Sequence, residues 1–212
     1  MKQDSLKFNS IMYRIRLGLD VKIGYVLVLD RKSIKKVKHP EIELRLEEIT
    51  HPTDADINAL VNIGFYTPTR NDVVTFLAKG HRCFVARYEG KIISCFWALT
   101  KEYYDHRLNR IIKFAENEVY CVGAFTLPEY RGKGILDYLY VNAARDYICT
   151  DDEHLALAFV DNHNRASLRA VDKMGFKKVG ELNSISLFGF SLQYITGRNV
   201  LPETRPRILI KK

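Results

Sequence analysis

The chain has 212 residues, 47% of them hydrophobic and 27% charged, and its 33 lysines and arginines against 25 acidic residues give a formal charge of +8. That length fits one domain able to bury its own core, and the longest early apolar run, "IGYVLVL" at 23–29, is far too short to span a bilayer. The basic balance suits a phosphate-bearing partner (nucleic acid, anionic lipid or a phosphorylated cofactor), or solubility alone.

The N-terminus, "MKQDSLKFNS", has no apolar stretch of the kind a secretory signal carries. Residues 8–31 predict two strands around the turn-prone Gly18 and Asp20, and "RKSIKKVKHP" at 31–40 is a basic connector. Residues 1–40 are thus an N-terminal extension whose strands pack on a main domain at 41–197. The alternation from Ile42 to Ile49 predicts a strand. Asp54 caps a short helix through Val61, and "TRNDVVTFLAKG" predicts a second helix stopped by Gly80.

"CFVARYEGKIISCFWALT" reads as a hairpin turning at Glu89-Gly90. Residues 101–117 are a polar and aromatic connector, and "EVYCVGAFT" at 118–126 predicts a strand buried on both faces. From Gly134, the residues Leu136, Leu139, Tyr140, Ala143 and Tyr147 share one helical face. "HLALAFV" at 154–160 is another buried strand. "NRASLRAVDKM" is a helix with Leu168, Val171 and Met174 inward and Gly175 just past its end. "FKKVGEL" and "SISLFGFSLQYI" supply closing strands, and 198–212 is a basic tail or an edge strand. The order predicts a mixed α/β domain. Cys83, Cys95, Cys121 and Cys149 form no C-x-x-C pair and read as reduced thiols of a cytoplasmic protein.

Arg131-Gly132-Lys133-Gly134 stands where a strand hands over to a helix. Glycines there let backbone N–H groups converge with no Cβ in the way. The first helical turn adds unpaired N–H groups and the positive end of the helix dipole. Arg131 and Lys133 add formal charge, and the product is a pyrophosphate cradle. It is neither a Walker motif nor a full G-x-G-x-x-G fingerprint, since Asp137 stands at the third glycine position.

The order of strand, "PEYRGKGI", amphipathic helix, buried strand and "N-x-x-S-x-x-x-x-x-x-G-F" resembles the GNAT superfamily of acetyl-CoA-dependent N-acetyltransferases, over about residues 42–195 and most closely over 118–176. The resemblance implies a mostly antiparallel central sheet with helices on both faces, in which two strands, here 118–126 and 154–160, splay apart around the cofactor. It implies acetyl-CoA as co-substrate and no metal. By position, Arg131, Gly132, Lys133, Gly134, Ile135 and Leu136 would wrap the pyrophosphate. Ala124, Phe125 and Thr126 would pair their backbone with the pantetheine arm, and Asn164 would hydrogen-bond it. Two positions depart from the family pattern: Leu136 replaces a small residue, and Val171 replaces a tyrosine that often protonates the departing thiolate.

Backbone N–H groups of Val122 and Ala124 could polarise a thioester carbonyl. Glu118 stands thirteen residues before Arg131, the offset at which histone-acetylating members place a glutamate base; a water chain is the rival. Tyr120 is the candidate general acid, with Tyr138 and Tyr140 as further tyrosines. Tyr103, Tyr104 and His106 lie where acceptor substrate enters in this fold. His163 reads as a local hydrogen-bonding residue, and no metal-ligand spacing occurs.

The expected reaction is acetyl transfer to a primary amine of a small molecule, amino sugars included, with no nucleic-acid partner and no membrane span. A homodimer stays open. The alternative is an acyl-CoA-binding sensor or scaffold without turnover.

Overall fold

A computed structural model describes residues 19–63, 69–105, 110–187 and 190–196. It holds two compact units. The first comprises Val28–Ala158 and Ala166–Lys177; the second, as far as it is described, comprises 19–27, Phe159–Arg165 and 178–196.

In the first unit, β2 (Arg45–Ile49), β3 (Arg82–Tyr88), β4 (Lys91–Leu99) and β7 (Glu118–Thr126) pair antiparallel in that order. β7 then pairs in parallel with the start of β8 (Leu155–Asp161). The β3–β4 turn is set by Glu89 and Gly90, at φ +48° and +79°, the pair of left-handed residues that a tight hairpin requires.

Alternate residues of β4 point to opposite faces. The Phe96 ring stacks on Tyr140 of α3 (Ile135–Ala143), with centroids 4.4 Å apart. The Trp97 ring meets Phe76 of α2 (Arg70–Ala78) edge-on at 5.2 Å. Helices therefore cover both faces of this sheet. Thr69 and Asp72 form a reciprocal capping box at the start of α2, and α1 is Asp54–Ile63.

Two details of the first unit differ from the sequence expectation. The connector 101–117 contains a hairpin of its own, β5 (Glu102–Asp105) paired with β6 (Arg110–Lys113). After α3 the chain makes a wide π turn at Ala144–Ile148, closed by Cys149 N–H donating to the Ala144 carbonyl. The wider turn shifts the helical phase by one residue. Ile148 takes the inward position and Tyr147 is left 49% exposed, although its spacing had placed it on the apolar face. Arg31 Nη1 closes this end by donating to the carbonyls of Arg145, Cys149 and Thr150.

α4 (Arg165–Met174) ends at Gly175 as expected, with φ +104°. A Cβ there would sit 1.9 Å from the Ser33 carbonyl oxygen, so the helix end and the 31–40 connector touch backbone to backbone. Lys35 N–H also donates to the Met174 carbonyl.

In the second unit, β10 (Phe190–Thr196) pairs antiparallel with β9 (Lys177–Leu187). β9 lies next to β1 (Leu19–Leu29), and β1 next to the end of β8. The second of the two expected N-terminal strands is present as β1, which begins at Leu19 and so already includes Asp20. The break expected between "FKKVGEL" and "SISLFGFSLQYI" is absent, and 177–187 is one strand. The strand before Gly18 and the tail 198–212 lie outside the described residues.

Candidate functional site

The strand β7 is buried at Glu118 and from Tyr120 to Val122, half-buried at Val119, and opens from Gly123 to Phe125. The change is a β-bulge. Cys95 faces Phe125 and Trp97 faces Val122, so Phe96 alone stands opposite both Gly123 and Ala124. Gly123 takes φ +64°, the left-handed residue that one class of bulge requires. The apolar run hid this feature, and its one signal is an isolated glycine inside a strand pattern.

The parallel pairing of β7 with β8 covers Glu118↔Leu155, Val119↔Ala156 and Tyr120↔Leu157 and stops there. From Cys121 to Thr126 that edge of β7 has no ladder partner among the described residues. The end of β7 is pinned to β4, because Ser94 Oγ donates to the Phe125 carbonyl at 2.8 Å and lies 2.9 Å from Thr126 Oγ1.

A short 3-10 turn, Pro128–Tyr130, leads into the glycine loop. Gly132 and Gly134 take φ +76° and +71°, and a Cβ built on either would have nothing within 4 Å. Residues 131–134 are exposed. The first intrahelical bond of α3 is Tyr138 N–H donating to the Gly134 carbonyl at 3.0 Å. The N–H groups of Ile135, Leu136 and Asp137 therefore precede the ladder and project from the helix start. Leu136 does not displace that start. Arg131 is clamped to the strand end, with Nε donating to the Thr126 carbonyl at 3.0 Å and the guanidinium 5.1 Å from the Phe125 ring centre. Lys133 Nζ lies 5.2 Å from the Tyr130 ring centre.

A diphosphate fits this loop: two left-handed glycines with open space, three projecting N–H groups, the positive end of a helix and two cations. Among the described residues no cluster of histidine, cysteine or carboxylate side chains could hold a metal.

Glu118 is 5% exposed. Its Oε2 accepts the Ala115 N–H at 3.0 Å, and its own N–H donates to the Ala115 carbonyl. The carboxylate thus locks the turn that starts β7. Tyr120 is 1% exposed, with its ring 5.3 Å from Phe114 and 6.2 Å from Tyr103. Tyr103 is buried and also faces Phe76. Tyr104 lies in β5, and His106 lies outside the described residues. Val171, in the place of the family tyrosine, is buried.

Among the other tyrosines, Tyr138 meets the exposed His39 ring edge-on at 4.6 Å. Burial pushes the Tyr140 phenol well above its usual range. Burial also pushes its neighbour Cys121 up to about 12, with the Tyr140 hydroxyl acting in the opposite direction. Asp137, in the first turn of α3, is raised by desolvation against the pull of Lys173.

In the second unit, Asn164 is exposed, immediately precedes α4, and donates its N–H to the Asp161 carbonyl. His163 N–H donates to Asp161 Oδ1, in keeping with a local hydrogen-bonding role. Asn162 Oδ1 is buried without a hydrogen-bond partner among the described residues.

Comparison with known proteins agrees with this geometry. The model of the acetyltransferase (GNAT) family matches residues 47–176. A conserved protein of unknown function from Staphylococcus epidermidis superposes with a TM-score of 0.58 at 13% identity, covering 82% of this chain and 65% of its own. A GNAT-family acetyltransferase from Colwellia psychrerythraea gives 0.52 at 12%, covering 80% and 57%. The GCN5-related glucosamine N-acetyltransferase region of a fungal multi-domain GH3 β-N-acetylglucosaminidase gives 0.54 at 15%, covering 85% and 22%. This chain spans less than two thirds of the length of each. No curated protein matches it significantly. With the family match running over more than half of the sequence, and across the bulged strand, the glycine loop and the helix it opens, the chain belongs to the GNAT family of acetyltransferases, which transfer acyl groups from acetyl-CoA.

Proposed function

We propose that the chain transfers an acetyl group from acetyl-CoA to a primary amine of a small molecule, with amino sugars as one acceptor class. The observation that carries this reading is the exposed glycine loop opening α3, one short turn after a strand whose edge toward β8 has no ladder partner from Cys121 onward among the described residues. When bound, acetyl-CoA supplies an activated acetyl thioester. The loop N–H groups hold the diphosphate, and the backbone of Ala124, Phe125 and Thr126 lines the pantetheine arm. N–H groups of Val122 and Ala124 polarise the carbonyl that is attacked. Glu118 takes the proton of the acceptor ammonium, directly or through water, and Tyr120 returns one to sulfur.

The glucosamine N-acetyltransferase region among the structural neighbours makes amino sugars the first acceptors to try, though that likeness is one of fold. Four buried free thiols support a cytoplasmic setting, and among the described residues no helix is long and apolar enough to cross a membrane. The test is mass spectrometry of an amine library incubated with the protein and acetyl-CoA, and a mass gain of one acetyl on an amine supports the reading. Tight coenzyme A binding with no acetylated amine would favour the second reading, an acyl-CoA-binding module without turnover. The buried Val171 in the tyrosine position supports that alternative.

A further inference from the structure

The exposed side of α4 carries Arg169 and Lys173, one helical turn apart. Like charges at this spacing repel and cost helix stability. Neither cation has a carboxylate within ion-pair distance among the described residues. The adjacent acid, Asp172, is taken by Lys35, whose Nζ lies 3.7 Å from Asp172 Oδ1 and donates to the Asp172 carbonyl at 2.7 Å. Both charges face outward, Lys173 offset in part by the end of the helix dipole and by Asp137, and Arg169 with no ion pair among the described residues.

Their position gives them a use. Lys173 is the cation that acts on Asp137, three residues after Gly134. Just beyond α4, the Phe176 ring packs against Tyr140 of α3, with centroids 5.6 Å apart. The later part of α4 thus runs beside the first turns of α3, where the glycine loop ends. Past its diphosphate, coenzyme A continues into a ribose bearing a phosphate monoester, so a second and more strongly charged anion lies one sugar away from the first. Two outward cations one turn apart can converge on such a group, Arg169 through its planar fork.

We propose that Arg169 and Lys173 form a second anion seat beside the cradle, which takes the ribose phosphate monoester and makes the chain prefer coenzyme A to its 3′-dephospho form. The proposal rests on the reading that coenzyme A binds at the glycine loop.

Isothermal titration of the full chain with coenzyme A and with 3′-dephospho-coenzyme A tests it. The wild type is expected to bind coenzyme A about tenfold or more tightly than the dephospho form, the scale of one charge-assisted contact. R169Q/K173Q is expected to bind the two alike, with the dephospho affinity unchanged; both positions are exposed, and circular dichroism checks the fold. Equal affinities in the wild type, or a preference that survives in the double variant, would overturn the seat and leave the cradle standing. If neither compound binds the wild type, the glycine-loop reading fails and the seat fails with it.

Discussion

The glycine loop makes a sharp demand on two glycines that look alike in sequence and differ in the structure. Gly134 has φ +71° and open space where a Cβ would go, whereas Gly175 has φ +104° and the Ser33 carbonyl oxygen 1.9 Å from that position. For Gly134→Glu the fold loses only the left-handed preference, about 1–2 kcal/mol. A chain of this size loses roughly 2–4 °C in Tm per kcal/mol, so the fall should be about 2–8 °C. Coenzyme A binding should suffer far more. A side chain and a carboxylate placed in the nest remove at least two charge-assisted hydrogen bonds at about 1.5–3 kcal/mol each. That is about 3–6 kcal/mol, or more than a hundredfold in Kd. Gly175→Ala should do the reverse: the backbone must move, about 3–5 kcal/mol of stability is lost, and whatever folds still binds. Titration calorimetry and thermal circular dichroism on both variants read the two effects separately. A folded Gly134→Glu protein with wild-type affinity would refute the cradle, and equal thermal losses would refute the division of labour between the glycines.

Glu118→Gln should lower kcat about 100-fold or more, leave the KM for acetyl-CoA unchanged and recover in part at high pH, where more amine is neutral; a variant that keeps wild-type kcat from about pH 6 to 9 would make Glu118 a structural carboxylate. Burial, helped by Lys79, holds the His81 imidazole below its usual 6.5, and its Nδ1 lies 3.3 Å from the Thr100 N–H, which donates to it. The unfolded chain therefore binds the proton more readily, and His81 contributes stability above about pH 6.5 that is lost as pH falls through its lowered pKa; Tm of His81→Asn measured from pH 7.5 to 5 should fall less steeply than wild type, and parallel curves would contradict this. Arg87 bridges Asp56 at 2.6 Å and also pairs with Glu47, so Arg87→Ala should cost about 3 kcal/mol in urea unfolding by stranding the buried Asp56 carboxylate, while Glu47 keeps Arg45 at 3.0 Å, and Arg87→Ala with Asp56→Ala should cost less than the sum of the two single changes.

What was legible in the sequence was local. The Glu89-Gly90 turn, the Gly80 and Gly175 helix stops and the two-glycine loop are each fixed by φ values that neighbouring residues announce, and all stand where they were expected. What was missed depends on partners far along the chain. The 101–117 connector looked like a loop because its alternation is weak, yet Tyr103 pairs with Ile112 and Tyr104 with Ile111 in a ladder. The outward Tyr147 follows from a π turn, and no residue in "ARDYI" signals one. Burial was hardest to read. Nothing in the sequence shows that the rings of Tyr103 and Tyr120 pack among other aromatic rings.

The same distinction bears on β7. A strand inside a sheet normally spends its backbone groups on two neighbours, and one left unpaired is an invitation to unwanted association. Here, among the described residues, the stretch from Cys121 to Thr126 has no ladder partner on the β8 side, and at Gly123 and Ala124 the bulge interrupts its ladder with β4 too. Neither device improves the core, since the strand becomes open where both act. On the proposed reading, the backbone left open at Gly123 and Ala124, near the glycine loop, is available to something that can pair with it. A pantetheine arm carries amide groups able to do so. On that reading the loop, the bulge and the shortened ladder have one physical explanation, the acyl donor.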